Sequence, residues 1–168
     1  MSAHPTALGR FNAALSRFAL YACVAGLAAI VAVVAFQVFG RYVMNDSPTW
    51  TENLALVLIL YVTLIGAAVG VRDAGHLGMD SLLVLASAEW QRRLGIAIHV
   101  CVGTFGALMA WNGAVLGESV MSYKLANIDL PESVRYVPLV ISGLLIVLFS
   151  VEHAIALVRR TQVTRAWH

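Results

Sequence analysis

Charge is scarce in this chain. Charged residues make up 12 % of the 168 and hydrophobic residues 60 %, against about 25 % and 45–50 % in an ordinary soluble domain. That balance excludes a disordered segment and a conventional soluble fold. The net charge of +2 is too small for a nucleic-acid-binding surface. There are two cysteines, Cys23 and Cys101, both inside apolar stretches, where they read as small buried hydrophobes and not as a disulfide framework or metal site. No internal repeat or low-complexity tract is present. Ionisable groups are missing from the centres of the apolar stretches, where a solute pathway would need them. Thr63 and Thr104 are the notable polar groups there, and a hydroxyl bonding back to its own helix accounts for each. Paired Gly or Pro interruptions, the mark of broken transport helices, are absent too.

What the chain does have is four apolar runs, at residues 18–40, 53–71, 94–117 and 136–151. About 20 helical residues cross a 30 Å hydrocarbon core. The runs therefore predict an all-α membrane protein, one domain over residues 1–168, with spans at about 18–42, 50–72, 94–117 and 134–157. The first run is longer than a signal-peptide core and lacks a small-residue cleavage site, so it is expected to stay as a span. Eight basic residues fall on one side: Arg10, Arg17, Arg72, Arg92, Arg93, Arg159, Arg160 and Arg165. Three, Arg41, Lys124 and Arg135, fall on the other. The excess places both termini in the cytoplasm.

The connections carry most of the information. Residues 1–16 form a polar lead that could begin an interfacial helix through Phe11, Leu15 and Phe18. After the first span, Asn45-Asp46-Ser47-Pro48 is a turn. Ser47 can cap the second helix with Pro48 at its first position, and Thr49 to Glu52 fits a capping box. Arg41 and Glu52 stand at the two ends of this hairpin and could form an ion pair or serve a partner. In the second connection, Gly75 and Gly78 bracket His76, which could order the turn by bonding to backbone or Asp80. Met79, Leu82, Leu83, Ala86 and Trp90 then follow helical spacing, predicting an amphipathic interfacial helix over about 79–92. Pro131 is placed to open the last helix. Small residues recur four apart at Ala22/Gly26, Ala25/Ala29, Gly66/Gly70 and Gly113/Gly117, a spacing that lets helices approach closely in lipid and favours a packed bundle. His99 and His153 fall at similar depth and could ligate a haem. Otherwise His99 reaches toward the interface and His153 pairs with Glu152 or solvent.

Residues 40–55, with Arg41-Tyr42-Val43, Asn45, Ser47, Trp50, Glu52 and Leu54-Ala55, resemble the R-Y-V-F-N-x-S-x-x-W-x-E-E-L-A pattern of the DctQ-like small permease subunit of tripartite ATP-independent periplasmic (TRAP) transporters. Gly66 to Arg72, Gly75-His76 and Asp80-Ser81-Leu82 are similar to a second motif of that family. Leu130-Pro131 and Tyr136-Val137-Pro138 are similar to a third. Asn53 departs from the pattern by replacing the second acid of its Glu-Glu pair. Leu77-Gly78-Met79 and Val140 to Gly143 also differ. The resemblance implies a small scaffold subunit beside a large sodium-driven membrane subunit, with a periplasmic binding protein delivering an organic acid. It implies an inner-membrane location, no enzymatic activity and no cofactor on this chain, with sodium on the partner, and lipid but no nucleic acid among its partners. Arg41, Asn45, Trp50 and Glu52 would form the outer hairpin near the partners, and Arg72, His76 and Asp80 would set the inner turn. The rivals are a haem- or quinone-carrying membrane anchor and a dimeric four-span efflux protein. The latter needs an acid inside a span, and none stands out. The solute itself is not legible.

Overall fold

A computed structural model describes residues 7–45, 48–73, 88–125 and 128–159. Four helices make up nearly all of it: α1 (Ala7–Val43), α2 (Trp50–Asp73), α3 (Ala88–Ser119) and α4 (Val137–Arg159), the last preceded by a 3-10 turn at Glu132–Arg135. Each of the four is long and apolar enough to cross a membrane. No strand is present among the described residues beyond an isolated Lys124–Pro131 bridge.

The helices do not pack in chain order. α1 lies on α2, α2 on α4, and α4 on α3, with a slighter contact between α1 and α4. The expected bundle is therefore a row in the order α1–α2–α4–α3, with α4 inside it. Composition explains why α4 takes that place. It carries no charge before Glu152, and it buries Ser142, Leu145, Ile146, Phe149 and Ser150. A helix apolar on all sides can be enclosed by neighbours on several faces. Leu145, Ile146 and Phe149 form the core with Ala68 of α2, flanked by Leu15, Ile65, Val71, Val102 and Met109.

Lipid supplies no hydrophobic drive between helices, so close contact depends on shape. The tightest approach is between α3 and α4. A Cβ on Gly143 would stand 2.6 Å from the Gly106 carbonyl oxygen, and one on Gly106 would stand 2.9 Å from the Gly143 carbonyl oxygen. The glycine pairs expected from the sequence fare unevenly. A Cβ on Gly113 would stand 3.1 Å from Leu139, and one on Gly117 would stand 3.4 Å from Tyr136. A Cβ on Gly66 would meet only Cys23, at 3.8 Å, and one on Gly70 would meet nothing within 4 Å. Gly26 does mark a close approach, since a Cβ there would stand 2.7 Å from Val62 of α2. The Gly106/Ala110 pair has the same four-residue spacing but no feature in the sequence that sets it apart.

Two element boundaries differ from expectation. α1 starts at Ala7, so the polar lead continues straight into the first span. Residues 88–92, expected to end a separate interfacial helix, instead belong to α3. No Pro interrupts the chain there, Gly95 is taken up within the helix, and Glu89 pairs with Arg92 (3.9 Å) and Arg93 (3.3 Å) across one turn. The rest of that expected helix, together with His76, Asp80 and the Gly-bracketed turn, lies outside the described residues.

Candidate functional site: a buried polar clamp

Arg72, the penultimate residue of α2, is buried. Instead of reaching out of the helix row, its guanidinium turns into it. Nε and Nη2 donate to the Glu152 carboxylate of α4 at 3.2 and 3.4 Å, and Nη1 donates to Asp73 Oδ1 at 3.2 Å. The cation also lies 5.8 Å from the centre of the Phe149 ring. α1 joins through two side chains one turn apart. Asn12 Nδ2 donates to Glu152 Oε2 at 2.9 Å, and Ser16 Oγ makes a long bond to Asp73 Oδ2 at 3.5 Å.

The His pair completes the cluster. His153 Nε2 is 2.8 Å from the Arg72 carbonyl oxygen. A carbonyl can only accept, so Nε2 carries the hydrogen. That carbonyl is in the last described turn of α2, so His153 ties α4 to the α2 backbone there. The His99 ring of α3 stacks on His153 at 4.7 Å and 4°. Both histidines are buried, so His99 does not reach the interface and His153 bonds to backbone, not to Glu152 or solvent. Nor does this arrangement suit a haem. Two ligating imidazoles must aim nitrogens at one iron, whereas these rings lie face to face with one nitrogen already committed. Among the described residues no group of three His, Cys, Asp or Glu side chains could hold a metal ion.

The clamp thus draws on all four helices. Its carboxylates and guanidinium compensate one another, which is what makes burial of such groups tolerable. Glu152, expected only as a possible partner of His153, is a buried acid that pairs with Arg72 instead. Asn12 and Ser16 carry no signal in the sequence, whereas a lone acid near the end of an apolar run, with an arginine at the matching end of another, is a usable one.

The opposite end of the row is built from two connections. Arg41, Asn45, Trp50 and Glu52 all lie there and are exposed. Asn45 adopts a φ of 50°, the left-handed turn conformation that Asn tolerates. Trp50 packs obliquely on Phe36 with ring centres 6.2 Å apart. The start of α2 is fixed by Thr51, whose hydroxyl donates to the Pro48 carbonyl at 2.6 Å. No ion pair joins Arg41 to Glu52 among the described residues, so the hairpin does not depend on one. The second connection is tied to α2 by Tyr61, which donates to the Val134 carbonyl at 3.1 Å, and by Arg135, which donates to Asn53 Oδ1 at 3.2 Å. Asn53, the departure from the Glu-Glu pattern, thus anchors the turn leading into α4.

Residues 30–160 match the family described as tripartite ATP-independent periplasmic transporters, DctQ component. The chain belongs to that family. The matched region includes both end connections and, from the clamp, Arg72, Asp73, His99, Glu152 and His153, but not Asn12 or Ser16. This DctQ-family chain is 48 % identical over 70 residues to the C4-dicarboxylate TRAP transporter small permease protein DctQ of Pseudomonas aeruginosa, covering 41 % of this chain and 33 % of that one. It is 32 % identical over 81 residues to the sialic acid TRAP transporter small permease protein SiaQ of Vibrio cholerae, covering 46 % and 47 %. Over 127 residues it is 24 % identical to the isethionate TRAP transporter permease protein DctMQ of Oleidesulfovibrio alaskensis, covering 71 % and 20 %. The matches thus span less than half of the length of each of these relatives.

Proposed function

We propose that this chain is the small membrane subunit of a TRAP uptake system for an organic acid, acting as a scaffold for a large transport subunit and not as the solute path. The observation that carries this reading is the disposition of polar groups in a DctQ-family chain. Among the described residues the buried charges sit together at one end and cross-link helices, and none is spaced along the row to guide an ion. Sodium coupling and solute binding are then the work of the partner. The three relatives are named for C4-dicarboxylate, sialic acid and isethionate, which supports an organic anion as cargo. The name DctMQ belongs to a relative of which the match covers only 20 %, as expected if small and large subunits can share one chain.

The basic-residue balance supports an inner-membrane orientation with both termini and the clamp on the cytoplasmic side. The exposed hairpin of Arg41, Asn45, Trp50 and Glu52 would then face the periplasm, where a solute-binding protein arrives. Arg72, with His76 and Asp80 beyond it, would hold the cytoplasmic turn.

Co-expression with a candidate large subunit tests this reading through complex recovery and uptake of a labelled organic acid. The expected result is a stable complex, with uptake lowered by Arg41→Ala, Trp50→Ala or Glu52→Ala while the chain stays folded. Failure to co-purify any large membrane subunit, or undiminished uptake without this chain, refutes it.

A further inference from the structure

The clamp fixes the rotation of α1 about its axis, and so decides which face of its first turns points outward. Asn12, Ser16 and Ala19 are buried. On the opposite side, Arg10, Phe11, Ala14, Arg17, Phe18 and Tyr21 are all exposed, with Phe11 at 61 %, Phe18 at 72 % and Tyr21 at 71 %. At 100° per residue these six fall within a stripe about 120° wide. Two guanidinium groups therefore alternate with three aromatic rings on one surface.

The position of this stripe along the helix identifies what it meets. Residues 18–40 carry no charge and fill the hydrocarbon core, so Arg17 stands at the core edge, the level of the lipid phosphates. Phe18 and Tyr21 lie just inside it, beside the upper acyl chains. Arg10 lies about 12 Å beyond the edge, within a Debye length or so of the phosphate layer. α1 has 37 residues, about 55 Å, which exceeds the whole 40–45 Å bilayer with its headgroups. The stripe therefore straddles the boundary.

We infer that this face of α1 is a binding surface for an anionic phospholipid, phosphatidylglycerol in type. Arg17 and Arg10 recognise the phosphate and net negative headgroup, and Phe18 and Tyr21 support the chains below. Guanidinium groups suit this task because they present forked donors to phosphate oxygens. The inference requires only that α1 crosses a membrane, and it stands whether or not the chain serves a transporter.

The test uses the full chain in nanodiscs containing equal phosphatidylglycerol and phosphatidylethanolamine, with retained lipids counted by native mass spectrometry. A basic residue at an anionic surface is worth about fivefold in binding. Wild type should therefore retain phosphatidylglycerol at least about fivefold over phosphatidylethanolamine. R10Q/R17Q should bring the ratio to parity, while R10K/R17K keeps it. Equal retention by wild type, or an unchanged ratio in R10Q/R17Q, overturns the inference. The competing occupant is a protein partner. Hydroxyl-radical labelling of Phe18 and Tyr21 separates the two, comparing the lone chain with the chain co-purified with its membrane partner in detergent. Equal labelling supports the lipid surface, and loss of labelling on assembly overturns it.

Discussion

Removing Glu152 should be among the most destabilising truncations of this chain's polar groups. The carboxylate accepts from Arg72 Nε and Nη2 and from Asn12 Nδ2, and the side chains of Arg72 and Glu152 are 0 % and 7 % exposed. Two unit charges about 4 Å apart interact by about 4 kcal/mol at an effective dielectric constant of about 20. Truncating one member of a buried pair costs about 3–5 kcal/mol, because the other charge is left buried. Glu152→Ala is expected in that range, and Arg72→Met at its upper end, since it leaves both Asp73 and Glu152 without their cation. The double variant should cost less than the sum of the two by at least about 2 kcal/mol. Reversible unfolding in mixed micelles, followed by tryptophan fluorescence, measures each term. A cost below about 1 kcal/mol for Glu152→Ala, or additivity within about 0.5 kcal/mol, would refute the clamp.

Four further outcomes follow from the same geometry. Gly106→Ala should cost about 1–3 kcal/mol, because its methyl meets the Gly143 carbonyl oxygen and Ile146. Gly70→Ala, with open space around it, should instead stabilise by up to about 1 kcal/mol through helix propensity; the same assay reads both, and equal effects would contradict the packing described. Tyr61→Phe should lose about 1 kcal/mol by leaving the Val134 carbonyl without its donor, measured by the same unfolding. Arg41→Ala and Glu52→Ala should each change stability by no more than about 0.5 kcal/mol, as neither side chain forms an ion pair among the described residues; a larger loss would mean the hairpin relies on them. The stacked imidazoles predict no Soret absorbance in the purified protein, and a band abolished by His99→Ala would restore the haem reading.

The two histidines show how far sequence patterns reach. Their similar depth was legible from counting residues along two antiparallel spans. Whether the rings would face a cofactor, solvent or each other was not, because that depends on helix rotation. The end hairpin illustrates the reverse case. The turn at Asn45 follows from local chemistry, because Asn tolerates the left-handed φ of 50° found there, although α2 opens at Trp50 and not at Pro48, the expected first helical position. The proposed Arg41–Glu52 pair failed because sharing a hairpin does not bring two long side chains within reach of each other.

The sequence by itself determined that the chain is helical and crosses a membrane, because a charge-free run of span length admits few other fates in lipid. It also determined the family, whose motifs lie in the connections and the adjoining turns. The tertiary structure decided the order of the helices, which small residues bring backbones together, and where the charges go. Those outcomes rest on side chains distant in the chain. Asn12 and Glu152 are 140 positions apart, and no local pattern records that a buried carboxylate on one helix will be met by an amide and a guanidinium from two others. The scarcity of charge made membrane insertion possible. The pairing of the few charges that remain is what ties the helices to one another.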